Sequence, residues 1–328
     1  MKAIVCTRYG SPDVLTLQDI APPVPKDHEV LVSVHSASLN AADWHIMRGS
    51  PYFMRFTFGF SKPKYPVLGS DVSGYVEAVG ENVTRFKKGD EVFGNLFEDG
   101  RSDTGMGAFA EFACASEDAF ALKPSNITFE EAAAIPLAAT TALQALNKGE
   151  IEAGKKVLIN GASGGVGSFA IQIAKAFDAE VTAVCSTSKT DMVRSLGADH
   201  VIDYTKENFT QSGKRYDLII AANGYHPIGH YKRVLTGSGR YVSVGGSLSQ
   251  MVQGLALAPF LSSKRGKRLG FLSAKNDQDD LLTLKNLAAT GKLKPVIDGV
   301  YSLAEIPEAM RYLEEGHVRG KLVVRVEK

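Results

Sequence analysis

Cysteine is scarce in this chain of 328 residues: Cys6, Cys114 and Cys185 are the only three. So few, so widely spaced and odd in number, they support neither a disulfide framework nor a four-cysteine zinc site, and a reducing compartment is expected. An excess of charge of one sign is also lacking. Lys and Arg number 37 and Asp and Glu 36, a formal net charge of +1, which offers no global field for holding nucleic acid. No uncharged apolar run reaches the roughly 18 residues that a membrane-crossing helix needs. The opening Met1-Lys2-Ala3-Ile4-Val5 reads as a strand, so no secretory leader and a cytoplasmic location are expected. There is no internal repeat and no low-complexity stretch. What remains is globular, with 44% apolar residues, enough for two cored domains.

The most informative run that is present is Val157-Leu158-Ile159-Asn160-Gly161-Ala162-Ser163-Gly164-Gly165-Val166-Gly167. It reads as a buried strand, a glycine turn and the start of a helix through Phe169, Ile171, Ile173, Ala174 and Phe177, followed by a second strand from Val181 to Cys185. Glycines let a backbone turn sharply and approach phosphate oxygens, and the free N–H groups that open a helix supply hydrogen bonds and a positive dipole end. In that β-α-β context the turn reads as a diphosphate cradle for a dinucleotide. Two rival readings are a purely structural turn and the G-x-S-x-G elbow of a serine hydrolase, with Ser163 as nucleophile.

Periodicity changes along the chain. Up to about residue 124, short alternating runs such as Val30–Val34, Gly74–Val79 and Glu91–Phe93 are separated by Gly, Pro and Asp, as in a compact β-barrel. From about residue 125 the pattern alternates helix and strand: a helix over Phe129–Asn147, strands at Lys156–Asn160, Val181–Cys185, His200–Asp203, Tyr216–Ala222, Arg240–Val244 and Leu269–Leu272, with helices between. Such alternation predicts a parallel sheet covered on both faces. A helix near Asp279–Thr290, the segment Lys292–Ile297, a helix at Ile306–Glu315 and a closing strand at Lys321–Val326 complete the chain. The apolar Met251–Leu261, followed by Lys264, Arg265, Lys267 and Arg268, is too short to span a membrane. It is expected to be a loop leading into the next strand, with peripheral membrane attachment as the alternative.

Together Ser38-Leu39-Asn40-Ala41-Ala42-Asp43-Trp44, Leu68-Gly69-Ser70-Asp71-Val72-Ser73-Gly74, Gly89-Asp90-Glu91-Val92, the Ala132–Leu146 segment, the glycine turn, Leu196-Gly197-Ala198-Asp199 and Gly316-His317-Val318-Arg319-Gly320-Lys321 resemble the medium-chain dehydrogenase/reductase superfamily. Within it the chain is similar to the zinc-free quinone-oxidoreductase-like branch, over essentially its whole length. The resemblance implies an α/β fold, a Rossmann doubly wound parallel sheet inserted in a GroES-like β-barrel domain. The barrel is expected to take residues 1–124 and 291–328 and the Rossmann domain residues 125–290. It also implies an active site in the cleft between domains and a homodimer joined through the strand near Leu269–Leu272.

No metal is expected. A catalytic zinc needs about three Cys, His or carboxylate ligands. Where zinc-dependent relatives place their first cysteine and following histidine, the chain resembles them with Asn40 and Ser70, poor ligands for zinc. The end of the second Rossmann strand identifies the cofactor. An NAD site carries Asp or Glu there, whereas this chain has Cys185-Ser186-Thr187-Ser188-Lys189, with Glu180 at the wrong end of the strand. Hydroxyls and a lysine accept a phosphate, so NADPH is expected, with Ser186 and Lys189 at its 2′-phosphate; Lys189 as a solvated helix-start residue is the alternative. By resemblance, Tyr204 lies near the adenosine ribose. Thr141, Ser163, Gly164, Gly165 and Val166 serve the diphosphate and nicotinamide side, with Asn223, Val244, Gly245, Leu272, His317, Val318 and Arg319 as further contacts. Arg319 reads equally as half of a surface ion pair.

Without a Lewis acid, conjugated acceptors suit hydride addition better than simple ketones. The expected activity is therefore NADPH-dependent reduction of quinones or α,β-unsaturated ketones and aldehydes. Asn40 is the first candidate for orienting the substrate or the nicotinamide ribose. Tyr52 is a second, as a hydrogen-bond donor, against the plainer reading of an aromatic packed in its own loop; Asp43 is expected to fix the loop. Two other functions stay open: an enoyl-thioester reductase, and a non-catalytic NADPH-binding interaction protein.

Overall fold

The computed structural model describes residues 1–97, 107–223, 226–245, 248–263 and 266–326. Lys264 and Arg265 lie outside them. The chain forms two compact units, residues 1–140 with 275–328, and residues 141–274.

In the first unit, strands with inward valines, leucines and phenylalanines make a seven-stranded sheet. Its order is Ile297–Ser302, Lys321–Arg325, Glu29–Ser38, Asp71–Val79, Glu91–Asn95 and Phe120–Leu122, with Phe112–Ser116 also paired to Glu29–Ser38. Val30, Val32, Val34, Leu68, Val72, Phe109, Phe120, Met310 and Val324 lie in one buried cluster. Register brings the site together, because Ser38 stands opposite both Val323 and Asp71. Helix Phe129–Ala134 packs on Glu29–Ser38 and Asp71–Val79, and helix Gln278–Ala289 on Phe120–Leu122. Those contacts place both helices in this unit, so its boundaries differ from 124/125 and 290/291.

The second unit is a six-stranded sheet, ordered His200–Asp203, Glu180–Cys185, Lys156–Asn160, Tyr216–Ala221, Leu235–Ser243 and Arg268–Phe271. Every neighbouring pair is parallel. In chain order this is 3-2-1-4-5-6, the doubly wound arrangement whose order reverses beside its first strand, where dinucleotides bind at the strands' carboxyl ends.

Two local expectations are corrected. The helix read over Phe129–Asn147 is two, Phe129–Ala134 and Pro136–Lys148. Pro136 has no N–H to continue the first helix and instead opens the second. Met251–Leu261 is not a loop but lies in consecutive helical turns, Leu248–Val252, Gln253–Leu257 and Ala258–Leu261. After Pro295, which cannot donate to a ladder, a strand runs from Ile297 to Ser302.

Candidate functional site

Six parallel strands of the second unit deliver their ends to one edge. Directly after them come Ser163 with Gly164, Ser186, Tyr204, Asn223, Val244 with Gly245, and Leu272. The ends are stitched by backbone hydrogen bonds. Ala222 and Asn223 donate to the Asn160 carbonyl at 2.9 and 3.2 Å, Val244 to Ala221 at 3.1 Å, and Leu272 to Ser243 at 2.8 Å. Thr141 is buried on helix Pro136–Lys148.

Glycine is required in the turn at two places. Gly161 has φ +82°, and a Cβ there would stand 2.6 Å from the Asn223 nitrogen; at Gly167 it would stand 2.2 Å from the Gly161 carbonyl oxygen. Gly164 is different: the nearest atom to a Cβ there lies at 3.7 Å. Gly164 caps helix Gly165–Ala176, whose first turn closes when Ser168 N donates to Gly164 O at 2.9 Å. The amides of Gly165 and Val166 precede that bond, which leaves them directed at an anion beyond the helix start. The cradle thus fits a dinucleotide diphosphate.

At the second strand, Glu180 pairs with His200 at 3.1 Å, far from the carboxyl end. Beyond Cys185 the chain makes a single 3-10 turn, Thr187–Lys189, closed by Lys189 N to Ser186 O at 3.0 Å. The Cys185 thiol is pushed up to about 11, chiefly by burial and then by Asp203, against the opposing charges of Lys189 and Arg194. Lys189 and Arg194 therefore both bring positive charge to this strand end. Asp203 itself is held far below the ordinary carboxylate range, first by the Thr187 hydroxyl and next by that of Thr205. Tyr204 is exposed, and its amide donates to the Cys185 carbonyl at 3.1 Å.

The first unit holds a buried polar cluster around Asn40. Asn40 caps helix Ala41–Arg48 and forms a capping box with Asp43. Its side-chain amide donates to Asp71 Oδ2 at 2.9 Å and to Ser70 Oγ at 3.4 Å, while its Oδ1 accepts from the Lys321 ammonium. Lys321 also donates to the Leu39 carbonyl at 3.0 Å and to Asp71 Oδ2 at 3.2 Å. Asp71 further accepts from Ser38 Oγ and from the Leu137 amide, both at 2.8 Å. Burial pushes the Asp43 carboxyl up to about 7, and the Asp71 charge adds to the rise; the Asn40 and Gly69 amides and Lys321 oppose it. Among the described residues no group of three His, Cys, Asp or Glu side chains is placed to hold a metal ion.

Tyr52 is not packed into its loop but is 76% exposed, with the Arg55 guanidinium 4.6 Å from the centre of its ring. His317 and Arg319 are exposed and Val318 is buried; the Arg319 amide donates to Asp298 at 3.0 Å. All four belong to the first unit. Sequence reasoning did not assign a site role to Lys321, Asp71, Asp203 or Thr187. A lysine opening the apolar run Leu322-Val323-Val324 was the one available signal, because a charge in a buried strand must be paired.

Comparisons with known proteins agree with this geometry. Residues 26–125 match the alcohol dehydrogenase GroES-like domain, and residues 196–324 match a family described as zinc-binding dehydrogenase. A 2-methylene-furan-3-one reductase of Solanum lycopersicum is 38% identical, over 99% of this chain and 79% of its own length. The NADPH-dependent alkenal/one oxidoreductase, chloroplastic, of Arabidopsis thaliana is 36% identical over the same shares. Among solved structures, the quinone oxidoreductase from Coxiella burnetii superposes with a TM-score of 0.88 at 34% identity, over 100% of this chain and 99% of that one. The chain belongs to the medium-chain dehydrogenase/reductase superfamily, among its quinone-oxidoreductase-like members.

Proposed function

We propose that this protein is an NADPH-dependent oxidoreductase that reduces quinones or α,β-unsaturated ketones and aldehydes. The observation that carries the reading is the row of six strand ends, with a glycine cradle after the first and hydroxyl and lysine side chains, not a carboxylate, just after the second. The names of the relatives support the same cofactor and substrate class.

Bound NADPH supplies the hydride. The chain's own residues hold and orient: Gly165 and Val166 amides toward the diphosphate, Ser186 and Lys189 toward the 2′-phosphate, Tyr204 beside the adenosine ribose. Ser163, Gly164, Thr141, Asn223, Val244, Gly245 and Leu272 complete the nucleotide contacts, with His317, Val318 and Arg319 at the nicotinamide end. Asn40 orients the substrate or the nicotinamide ribose. Its amide cannot turn over, because Lys321 needs Oδ1 as acceptor and Asp71 needs the NH2 as donor. Tyr52 is a weaker candidate donor to the substrate oxygen.

The reaction needs no metal in this reading. The position beside Asn40 already has a cation, the Lys321 ammonium, and a second positive charge there would meet it in a low-dielectric setting. Metal analysis of purified protein should find well under one zinc per chain. The three buried thiols, none in a disulfide, suit a reducing, cytoplasmic setting; no described helix is long and apolar enough to cross a membrane. Strand Arg268–Phe271 at the end of its sheet is the edge through which we propose a homodimer forms.

NADPH oxidation measured against a panel of enones, enals, quinones and enoyl thioesters tests the proposal. Turnover with conjugated carbonyls or quinones is the expected result. Tight NADPH binding with no turnover would make the protein a binding component, and preference for thioesters would move it to enoyl reduction.

A further inference from the structure

A carboxylate does stand beside the end of the second strand, on the neighbouring strand, but it is spent. Asp203 ends strand His200–Asp203 and stands in register beside Cys185, the last residue of the neighbouring strand. Its Oδ2 accepts from the Thr187 hydroxyl and pairs with Lys206 at 3.2 Å. Its Oδ1 accepts from the Thr205 amide at 3.0 Å and the Thr205 hydroxyl at 2.7 Å. The Thr187 and Thr205 hydroxyls also lie 3.2 Å apart. Both carboxylate oxygens are occupied, and Asp203 is about nine-tenths buried. In an NAD site the carboxylate that ends the second strand keeps oxygens free for the two ribose hydroxyls. Asp203, on the next strand, has none to offer in its place.

We propose that Asp203 and Thr187 form a specificity-determining pair: the carboxylate latches Thr187, and so sets the turn that presents Ser186 and Lys189 to the 2′-phosphate of NADPH. This rests on the cofactor reading above. Thr187 lies between those two residues, and its carbonyl is fixed as well, by the Thr190 hydroxyl at 3.0 Å. With Lys189 N bonded to Ser186 O, the turn is pinned at three points before any ligand arrives. Preorganised donors bind an anion better than mobile ones, because no ordering cost is incurred on binding. The negative charge that would repel a phosphate is meanwhile offset by Lys206 and three hydrogen-bond donors.

The pair acts through its neighbours, so its signature is a change in cofactor preference rather than in fold. Calorimetric Kd values for NADPH and for NADH are to be measured on the full chain and on Thr187→Val, Thr187→Ser and Asp203→Asn. Thr187→Val keeps the side-chain shape and removes the hydroxyl. It should weaken NADPH binding about fivefold, the worth of about one hydrogen bond, and leave NADH within about twofold. Thr187→Ser, which keeps the hydroxyl, should restore NADPH binding. Asp203→Asn keeps one acceptor oxygen and should weaken NADPH in the same direction. An NADPH-to-NADH ratio for Thr187→Val within twofold of the unmodified chain overturns the pair. Tighter NADPH binding by Asp203→Asn overturns it too, since the carboxylate would then repel more than it positions. If the unmodified chain binds no NADPH, the cofactor reading falls first and takes the pair with it.

Discussion

Asp43 and Asp203 are both almost removed from solvent, yet their surroundings push them in opposite directions. Asp43, in the first unit, accepts two backbone amides but lies wholly buried near a second carboxylate, Asp71, and its pKa rises to about 7. Asp203, in the second, is met by two hydroxyls, an amide and a lysine, and its pKa falls well below the usual range. Ionisation therefore follows depth and donors together: desolvation leads at Asp43, and hydroxyl donors lead at Asp203. The first unit carries an electrostatic cost around Asn40, and the second uses a carboxylate as a brace.

The sharpest break of this comparison is Lys321→Met. It leaves Asp71 charged, buried and without its ion pair, and should cost about 3–5 kcal/mol in urea unfolding. A loss below about 1 kcal/mol would mean that the Asn40 cluster is held by its neutral hydrogen bonds. Next comes the glycine cradle of the second unit. Gly167→Ala drives a Cβ against the Gly161 carbonyl, a backbone atom that cannot step aside, and should cost about 1–3 kcal/mol along with NADPH affinity. Gly164→Ala, whose Cβ would meet only an ordinary contact with the Gly161 carbonyl oxygen at 3.7 Å, should stay within about 0.5 kcal/mol. Equal losses for the two would show that the turn is less rigid than drawn.

The carboxylates are separated by pH. Asp43 has a folded pKa of about 7 against an ordinary 3.8, so the folded chain holds this proton more tightly than the unfolded one. Its effect is a loss of stability as pH rises from about 4 through 7. Asp203 has the opposite sign, contributing stability above the ordinary carboxylate pKa and losing it only in acid. Melting temperatures at pH 5 and pH 8 should fall less between the two for Asp43→Asn than for the unmodified chain. Lys189→Ala is expected to weaken NADPH about tenfold, or about 1.4 kcal/mol, with NADH unchanged; an unmoved preference would remove Lys189 from the phosphate site.

Much of the second unit was legible because its signals are local. The glycine turn, the buried run before it and the absent acid at Ser186–Lys189 all lie within 33 consecutive residues, Val157 to Lys189. The Asn40 cluster was half legible: Asn40 stood out by resemblance, but its partner Lys321 lies 281 positions away, and one sequence does not show which distant charges meet. Asp203 was read only as the end of a strand, because its distant partner Thr187 comes from a turn whose approach depends on the parallel register. The break at Ile135 was written in Pro136, yet the apolar run on both sides masked it.

The pairing of Val323–Arg325 with Ser36–Ser38 separates order of synthesis from order of assembly. Residues 141–274 leave the ribosome while the sheet that began before them still has an open border and Asp71 still waits for its ammonium. Nascent chains therefore expose that border until Lys321–Arg325 emerges, and a ribosome stalled before it would deliver a molecule with a finished nucleotide half and a frayed, protease-sensitive remainder.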